Sequence, residues 1–472
     1  MKKTKMGIRP PDWVQDAIFY QIFPDRFYNE NLENDPQNIR KWGQKPTGNS
    51  FFGGDLDGII YKLPYLEKLG VNALYLNPIF KAPSNHRYDT TDYYKVDPSL
   101  GDNDILKQLA KKLHQRNMHI ILDGVFNHCG ETFFAFQDVI KKGASSKYID
   151  WFIIKSYPIV KFPEPNYRCW IGTSSMPEFN TDNPEVREYL LKVVKYWIKE
   201  ADIDGWRLDT VEYMDPSFVK QIREAAKEVK KDAYIMGEVM GVATSWFKSK
   251  SLDAVMNYKL RDLIIDFFIK EATNATEFNH QLYSFRQTYS DSVNPFMFNL
   301  LDSHDVPRFL TLCDGDVKKM KLAVTFLMTY IGAPVIYYGD EVGVMGGEDP
   351  DCRRTMIWNK NQQDIDLLNF YKKIIKLRRE SQALRRGSFK SLYQQGKLYC
   401  FLRQLNEEKI IVGLNNSDKN EEINISLPEI KTKKMLKIKD IFGSTKSSFV
   451  MDQNELNLKV AAHDFRILSV SF

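Results

Sequence analysis

Short apolar runs recur along the chain up to residue 338, separated by longer amphipathic stretches. Eight of them read as buried strands: 17–22, 71–76, 118–122, 203–208, 233–237, 253–256, 296–300 and 334–338. Gly53–Gly54–Asp55 leads into a helix expected over 56–69. A second helix is expected over 102–117, with Ile105, Leu106, Leu109 and Leu113 on its apolar face. Asn183 is placed to cap, and Pro184 to open, a helix reaching Glu200, and another is expected near 216–230. Strand and helix alternate, which implies parallel strands joined by right-handed crossovers. Eight such units predict an α/β fold of the (β/α)8 TIM-barrel type rather than an open doubly wound sheet.

The rhythm breaks between His128 and Asn180. That interval is irregular, aromatic and too long for a simple loop, so an inserted subdomain is expected after the third strand. From Arg386 the pattern changes to short alternating runs at 392–393, 397–403, 409–414, 422–427 and 465–472. These predict a C-terminal antiparallel β-domain. The expected division is barrel over 1–127 and 181–385, inserted subdomain over 128–180 and a C-terminal β-sandwich over 386–472.

Composition narrows the partners. The 66 basic and 61 acidic residues of the 472 are interspersed and leave a net charge of only +5, which points to neither nucleic acid nor a membrane surface. No apolar run reaches transmembrane length. The five cysteines are odd in number and widely spaced, which suggests neither a disulfide framework nor a zinc site. Met1 to Trp13 is basic and has no apolar core before Pro10–Pro11, so no signal peptide is expected and the default location is cytoplasmic.

In a barrel, chemistry collects just past the C-terminal strand ends. Asp204–Gly–Trp–Arg–Leu–Asp209 ends the fourth strand with Arg207 and Asp209 two residues apart, hence on one side. Alone, this stretch reads as a structural ion pair or as a catalytic carboxylate. His86 and Tyr88 follow the second strand, Asp123 and Asn127–His128 the third, Glu238 the fifth, and Asp302, His304 and Asp305 the seventh. Asp209, Glu238 and Asp305 would converge, and like charges that close cannot all ionise cheaply. Arg207 should keep Asp209 ionised. Glu238 lies among Met236, Gly237, Val239 and Met240 with no neighbouring cation, so it should hold a proton. Each acid taken singly is better read as a solvated loop carboxylate or an ion pair, and His128 or His304 alone as a hydrogen-bonded structural histidine. The joint pattern matches a glycosidase with two carboxyls about 5–5.5 Å apart, the retaining geometry.

These residues resemble the α-amylase family of retaining α-glucosidases and transglycosylases. The resemblance rests on Asp123–Gly–Val–Phe–Asn–His128, Gly205–Trp–Arg–Leu–Asp209, Gly237–Glu238 and Leu301–Asp–Ser–His–Asp305, in the family's order and over nearly the whole chain. It implies Asp209 as nucleophile, Glu238 as acid/base and Asp305 as the transition-state carboxylate. It further implies that Arg207, His128 and His304 bind the sugar at the cleavage point. Tyr88 would stack on that sugar with His86 nearby, and Asp349 and Arg353 would hold the next glucose units. Tyr20 to Phe27, Ser84 to Asp89 and Met176–Pro–Glu–Phe–Asn180 look most like the neopullulanase/cyclomaltodextrinase/maltogenic amylase group, with Glu178 and Phe179 replacing that group's Lys and Leu. The group's separate N-terminal β-domain has no counterpart before the first strand, so its dimer and small-substrate preference are not carried over. Thr210–Val–Glu–Tyr213 also departs from the family, so acceptor-side specificity is not carried over either.

The expected activity is retaining hydrolysis of α-1,4 links in malto-oligosaccharides, cyclodextrins, starch or pullulan. A 4-α-glucanotransferase is the alternative, and an inactive glucan-binding protein the lesser one. Asn29, Asn31, Asn34 and Asp35, with Gly53 and Asp55, form an oxygen-rich cluster suited to a structural Ca²⁺. The cluster is similar to a calcium site of cyclodextrin glucanotransferases. The same composition also describes a polar turn. No organic cofactor is expected, the partner is the glucan itself, and monomer and homo-oligomer both stay open.

Overall fold

The structure, a computed structural model, describes residues 9–426, 437–443, 448–449, 451–452 and 455–471. The expected strand ends Leu427 and Phe472, and Met1 to Ile8, lie outside the described residues. Eight parallel strands form the barrel: β1 Phe19–Ile22, β2 Ala73–Leu76, β3 His119–Gly124, β4 Gly205–Leu208, β5 Tyr234–Gly237, β6 Ala254–Val255, β7 Phe298–Asn299 and β8 Ala333–Tyr337. Each pairs with its neighbours in sequence, β8 pairs with β1, and a parallel bridge between Met256 and Phe298 joins β6 to β7. The last two pairings close the ring that the alternation of elements predicted.

Every residue of β1, β2 and β4 is buried. That is why these strands read as continuous apolar runs rather than alternating ones. Gly205 opens β4 because a Cβ there would lie 2.0 Å from the Tyr234 carbonyl oxygen. Two expectations shift at their edges. The helix at 56–69 is two helices, Leu56–Tyr61 and Leu63–Leu69, broken where Pro64 offers no N–H to the preceding turn. The strand expected at 296–300 is confined to β7, because Asn294–Phe296 winds into a 3₁₀ turn.

Between β3 and the helix Pro184–Glu200, the chain leaves the barrel and returns. Phe179 donates to the Asn127 carbonyl (3.0 Å) and Cys129 to the Pro177 carbonyl (3.0 Å), so the outgoing and returning chains are stitched together. At the C-terminus, strands 388–395, 398–405, 408–415, 464–471, 437–440 and 448–449 form one antiparallel sheet in that order. Strands 421–426, 455–460 and 451–452 form a second. Alternation divides the strand 398–405. Leu398, Cys400 and Leu402 face the second sheet, and Tyr399 and Phe401 join the barrel's core. Among the described residues no helix is long and apolar enough to cross a membrane.

Beneath β4, on the face opposite the polar strand ends, Asp204 ties three elements together. It accepts from Ile120 N (2.8 Å), His114 Nε2 (2.9 Å) and Lys230 Nζ (2.8 Å). Burial raises its carboxyl, but the bonds from His114 and His119 and the charge of Lys230 outweigh this and hold it far below the usual range. The same contact with Asp204 raises His114. Removing one partner of such a buried pair costs on the order of 3 kcal/mol. Asp204→Asn should therefore lower the denaturation midpoint clearly. Asp204's contribution is lost only in strong acid. His114's is complete below about pH 6.5 and fades as pH rises through its elevated folded value. The gap between wild type and variant should accordingly be wider at pH 6 than at pH 8.5.

Candidate active site

The register of β3, β4 and β5 sets the centre of the site. Asp123 of β3 is aligned with Arg207 of β4, and Leu208 of β4 with Gly237 of β5. The ladder continues one step, with Asp209 N donating to the Gly124 carbonyl (3.1 Å) and Glu238 N to the Leu208 carbonyl (2.9 Å). Asp209 and Glu238 are thus neighbours at adjoining strand ends, each just where side chains turn into the barrel mouth.

Arg207 is fully buried among four carboxylates. Its Nη1 donates to Asp123 Oδ1 (2.9 Å) and Asp209 Oδ1 (2.7 Å). Its Nη2 lies 3.1 Å from Glu238 Oε2 and 4.0 Å from Asp305 Oδ2. The expectation that Glu238 lacks a cation is therefore corrected: the pairing of β4 with β5 brings Arg207 to it from the adjoining strand. The expectation that Arg207 keeps Asp209 ionised is corrected as well, because its pull is opposed. Burial pushes Asp209 up, Arg207 draws it down, and Glu238 and Asp123 push it up again. Burial likewise raises Glu238 against the pull of Arg207, with Asp305 adding to the rise. Asp209 and Glu238 therefore share the tendency to keep a proton, as two adjoining carboxyls around one cation must.

Asp305 behaves differently. It sits six residues past β7, in a turn bridged between Ser303 and Val306, rather than at the strand end as expected. Burial raises it, but His304, Arg353 and Arg207 prevail and hold it well below the usual carboxylate range. His304 Nε2 is 2.9 Å from Asp305 Oδ2, and Arg353 Nη2 is 3.3 Å from Oδ1. Gln21 Nε2 donates to His304 Nδ1 (2.8 Å), which leaves the ring's other nitrogen to carry the proton facing Asp305.

The remaining predicted residues line the same mouth. Tyr88 Oη meets His304 Nε2 (2.5 Å) and donates to Asp123 Oδ2 (3.0 Å). His86 accepts from Tyr88 N (3.1 Å), and burial aided by Arg353 and Arg87 pushes it down to about 3. Burial pushes His128 down to about 4, and its Nε2 is buried with no partner. Asp349 is half exposed and pairs with Arg353 Nη1 (3.1 Å). Arg353 is not a free arm, because its Nε also holds the His304 carbonyl (2.8 Å).

Several participants were not legible in the sequence. Gln21 and Asn77 support His304 and Tyr88 from β1 and from just past β2. Tyr75 Oη donates to Asp123 Oδ2 (2.6 Å). Trp170, from the inserted excursion, tilts over His128 with ring centroids 5.8 Å apart, and its Nε1 is also buried without a partner. Only the strand phase of Tyr75 and Gln21, inward-facing at buried strand positions, could have singled those two out. Nothing local marks Trp170.

The family model described as the α-amylase catalytic domain matches residues 21–366, and the α-amylase C-terminal domain model matches 387–459. The chain belongs to the α-amylase family. Within it, the chain is 49% identical to a cyclomaltodextrinase of Thermoanaerobacter pseudethanolicus, over 95% of this chain and 78% of that one. It is 44% identical to neopullulanase 2 of Thermoactinomyces vulgaris, over 89% and 71%. A solved cyclic α-maltosyl-(1→6)-maltose hydrolase from Arthrobacter globiformis, in complex with that sugar, superposes with a TM-score of 0.90. It is 35% identical, over 98% of this chain and all of that one. The chain is thus an α-amylase-family glycoside hydrolase.

The oxygen-rich cluster lies apart from the acids. Asn29 Nδ2 donates to Asp35 Oδ1 (2.8 Å), and Asn31 N to Asp55 Oδ2 (2.9 Å). Asn29 Oδ1 and both polar atoms of the Asn34 amide are buried without partners. Gly53 closes the cradle, since a Cβ there would fall 2.2 Å from Asp35 Oδ1. Asn31 is the exception, because its side chain caps the turn at Leu32 instead. Among the described residues no three His, Cys, Asp or Glu side chains form a metal-binding group. This cradle has two carboxylates, and its other donors are carboxamides.

Proposed function

We propose that this enzyme hydrolyses α-1,4-glucosidic bonds of cyclodextrins, malto-oligosaccharides and pullulan with retention, through a covalent glycosyl-enzyme on Asp209. The observation that carries the reading is the single guanidinium of Arg207 gripping both Asp209 and Glu238 at adjoining strand ends. Both Asp209 oxygens receive donors, Arg207 Nη1 on Oδ1 and Thr210 Oγ1 on Oδ2 (3.3 Å), which favours the ionised nucleophile. The hydrogen bonds and ion pairs of Glu238 fall on Oε2. Its proton then sits on Oε1, ready for the glycosidic oxygen. In the first step Asp209 bonds to the anomeric carbon as the glycosidic bond breaks and Glu238 protonates the leaving oxygen. In the second, Glu238 takes a proton from water as the water oxygen bonds to the anomeric carbon and the ester bond to Asp209 breaks, which frees the sugar and the carboxylate. Asp305, held ionised by its partners, would grip the sugar hydroxyls. The partnerless donors on His128 and Trp170 are suited to sugar oxygens.

The relatives named above support the substrate class. The transferase alternative differs only in whether a sugar replaces water in the second step. Exposed Tyr213, Met240 and Val242, which follow the two acids in sequence, offer an apolar rim for such an acceptor. We also place the enzyme in the cytoplasm, in keeping with its five free thiols, and treat 128–180 as one wall of the cleft.

The cradle of Asn29, Asn34, Asp35 and Asp55 fits a structural Ca²⁺. Burial raises Asp35 and brings Asp55 to about 6, costs a divalent cation would remove, and the orphaned amide oxygens are calcium-type donors. Asn31 would serve the cradle through its backbone alone.

Two outcomes are expected. Wild type should open β-cyclodextrin and release panose from pullulan, whereas Asp209→Asn should lose at least about 10⁴-fold in kcat with folding intact. Early longer oligomers from maltotriose with little glucose would favour the transferase, and an active Asp209→Asn would refute the nucleophile. Chelation by EDTA should lower the melting temperature and added Ca²⁺ restore it. Asp35→Ala should show neither response.

A further inference from the structure

Thr210 follows the Asp209 carboxylate in a left-handed conformation, φ 43° and ψ 39°. A β-branched residue there is strained. Glycine would adopt the same bend freely, so the strain accompanies something the threonine side chain supplies. The bend turns the backbone N–H of Thr210 onto Glu238 Oε2 (2.9 Å) and the hydroxyl onto Asp209 Oδ2 (3.3 Å). One residue thereby touches both reacting carboxyls. Its carbonyl accepts from Tyr213 N (3.0 Å), which fixes the bend from the other side.

We propose that Thr210 is a positioning residue whose hydroxyl holds the outer oxygen of Asp209 in its ionised state and whose N–H commits Glu238 Oε2 as an acceptor. The proposal rests on the reading of Asp209 and Glu238 given above. It goes further by assigning the proton-bearing oxygen of one and the attacking oxygen of the other. Asp209 Oδ1 is committed to Arg207, so Oδ2 must attack, and the Thr210 hydroxyl is the donor it releases on bonding to carbon. The other charged or titratable groups facing this pair are Arg207 from β4, Asp123 from β3, Asp305 and His304 beyond β7, Tyr93 on the Asp209 side and Tyr258 on the Glu238 side. Among the described residues Thr210 supplies the only side-chain hydroxyl hydrogen-bonded to Asp209, so its removal is not duplicated by these.

The test uses Thr210→Val, which keeps the shape and the strained backbone but has no hydroxyl, with Thr210→Ser as the rescue. A hydrogen bond to a charged group is worth about 1.5 kcal/mol or less at this length, equivalent to about one pKa unit. The hydroxyl favours the ionised form, so its loss raises the Asp209 pKa. For Thr210→Val the acid limb of kcat/KM on a cyclodextrin should move up by about half a unit to one unit. At a pH on that limb the rate should fall roughly three- to tenfold while KM on the plateau is unchanged. Thr210→Ser should return the limb to the wild-type position. Superimposable pH profiles for wild type and Thr210→Val, with equal melting temperatures, would overturn the proposal. A limb that shifts equally in Thr210→Ser would do the same. Failure of the underlying reading is distinguished by Asp209→Asn, whose activity would then be retained whatever Thr210 does.

Discussion

One buried cation holds the working end of this barrel together. Arg207 has no contact with solvent, and four carboxylates from four positions around the ring approach its guanidinium. An isolated charge at such depth would be prohibitively desolvated, and so would any of the acids without it. The acids and the arginine are therefore mutually required. Their imbalance, several carboxylates to one guanidinium, is what leaves Asp209 and Glu238 inclined to keep a proton between them. A planar fork can present separate N–H groups to carboxyls on both sides at once, whereas a lysine ammonium is a point charge.

The same device recurs at lower stakes around the mouth. Arg308, fully buried, donates to the carbonyls of Cys352 and Tyr338 and to Asp340. Arg26 donates to the carbonyls of Arg353 and Ser50, and Arg87 to that of Asn85. Each guanidinium satisfies loop carbonyls that a strand or helix would otherwise have paired. Long loops carrying Tyr88, Asp305 and Arg353 are thereby tied to the barrel. His128 Nε2 and Trp170 Nε1 are among the buried polar atoms at this mouth left without a hydrogen-bond partner.

One strained residue acts directly on the two acids. The sharp left-handed turn at Thr210 ends β4 and aims a backbone N–H at the next strand's acid. An extended residue there would have carried the chain past Glu238. Backbone geometry, ionic contacts and the β4–β5 register thus act on the same two carboxyls, so a change in any one of them alters both acids together.

The sequence by itself determined the eight-stranded barrel, the excursion after β3 and the two-faced C-terminal strands. Those features follow from burial, which writes apolar runs and alternation directly into the chain. It also located the acids, because a barrel confines its chemistry to strand ends that can be counted. Only the tertiary structure decided their electrostatics. The absence of a cation near Glu238 in sequence meant nothing once Arg207 reached it from β4, and Asp305 found its partners His304 and Arg353 through a turn no periodicity marks. Gln21, Asn77, Tyr75 and Trp170 joined the site from strands and loops distant in sequence, Gln21 meeting His304 across 283 positions. Burial is a property of a segment and is legible locally. Charge balance is a property of a closed ring, and it exists only when the ring has closed.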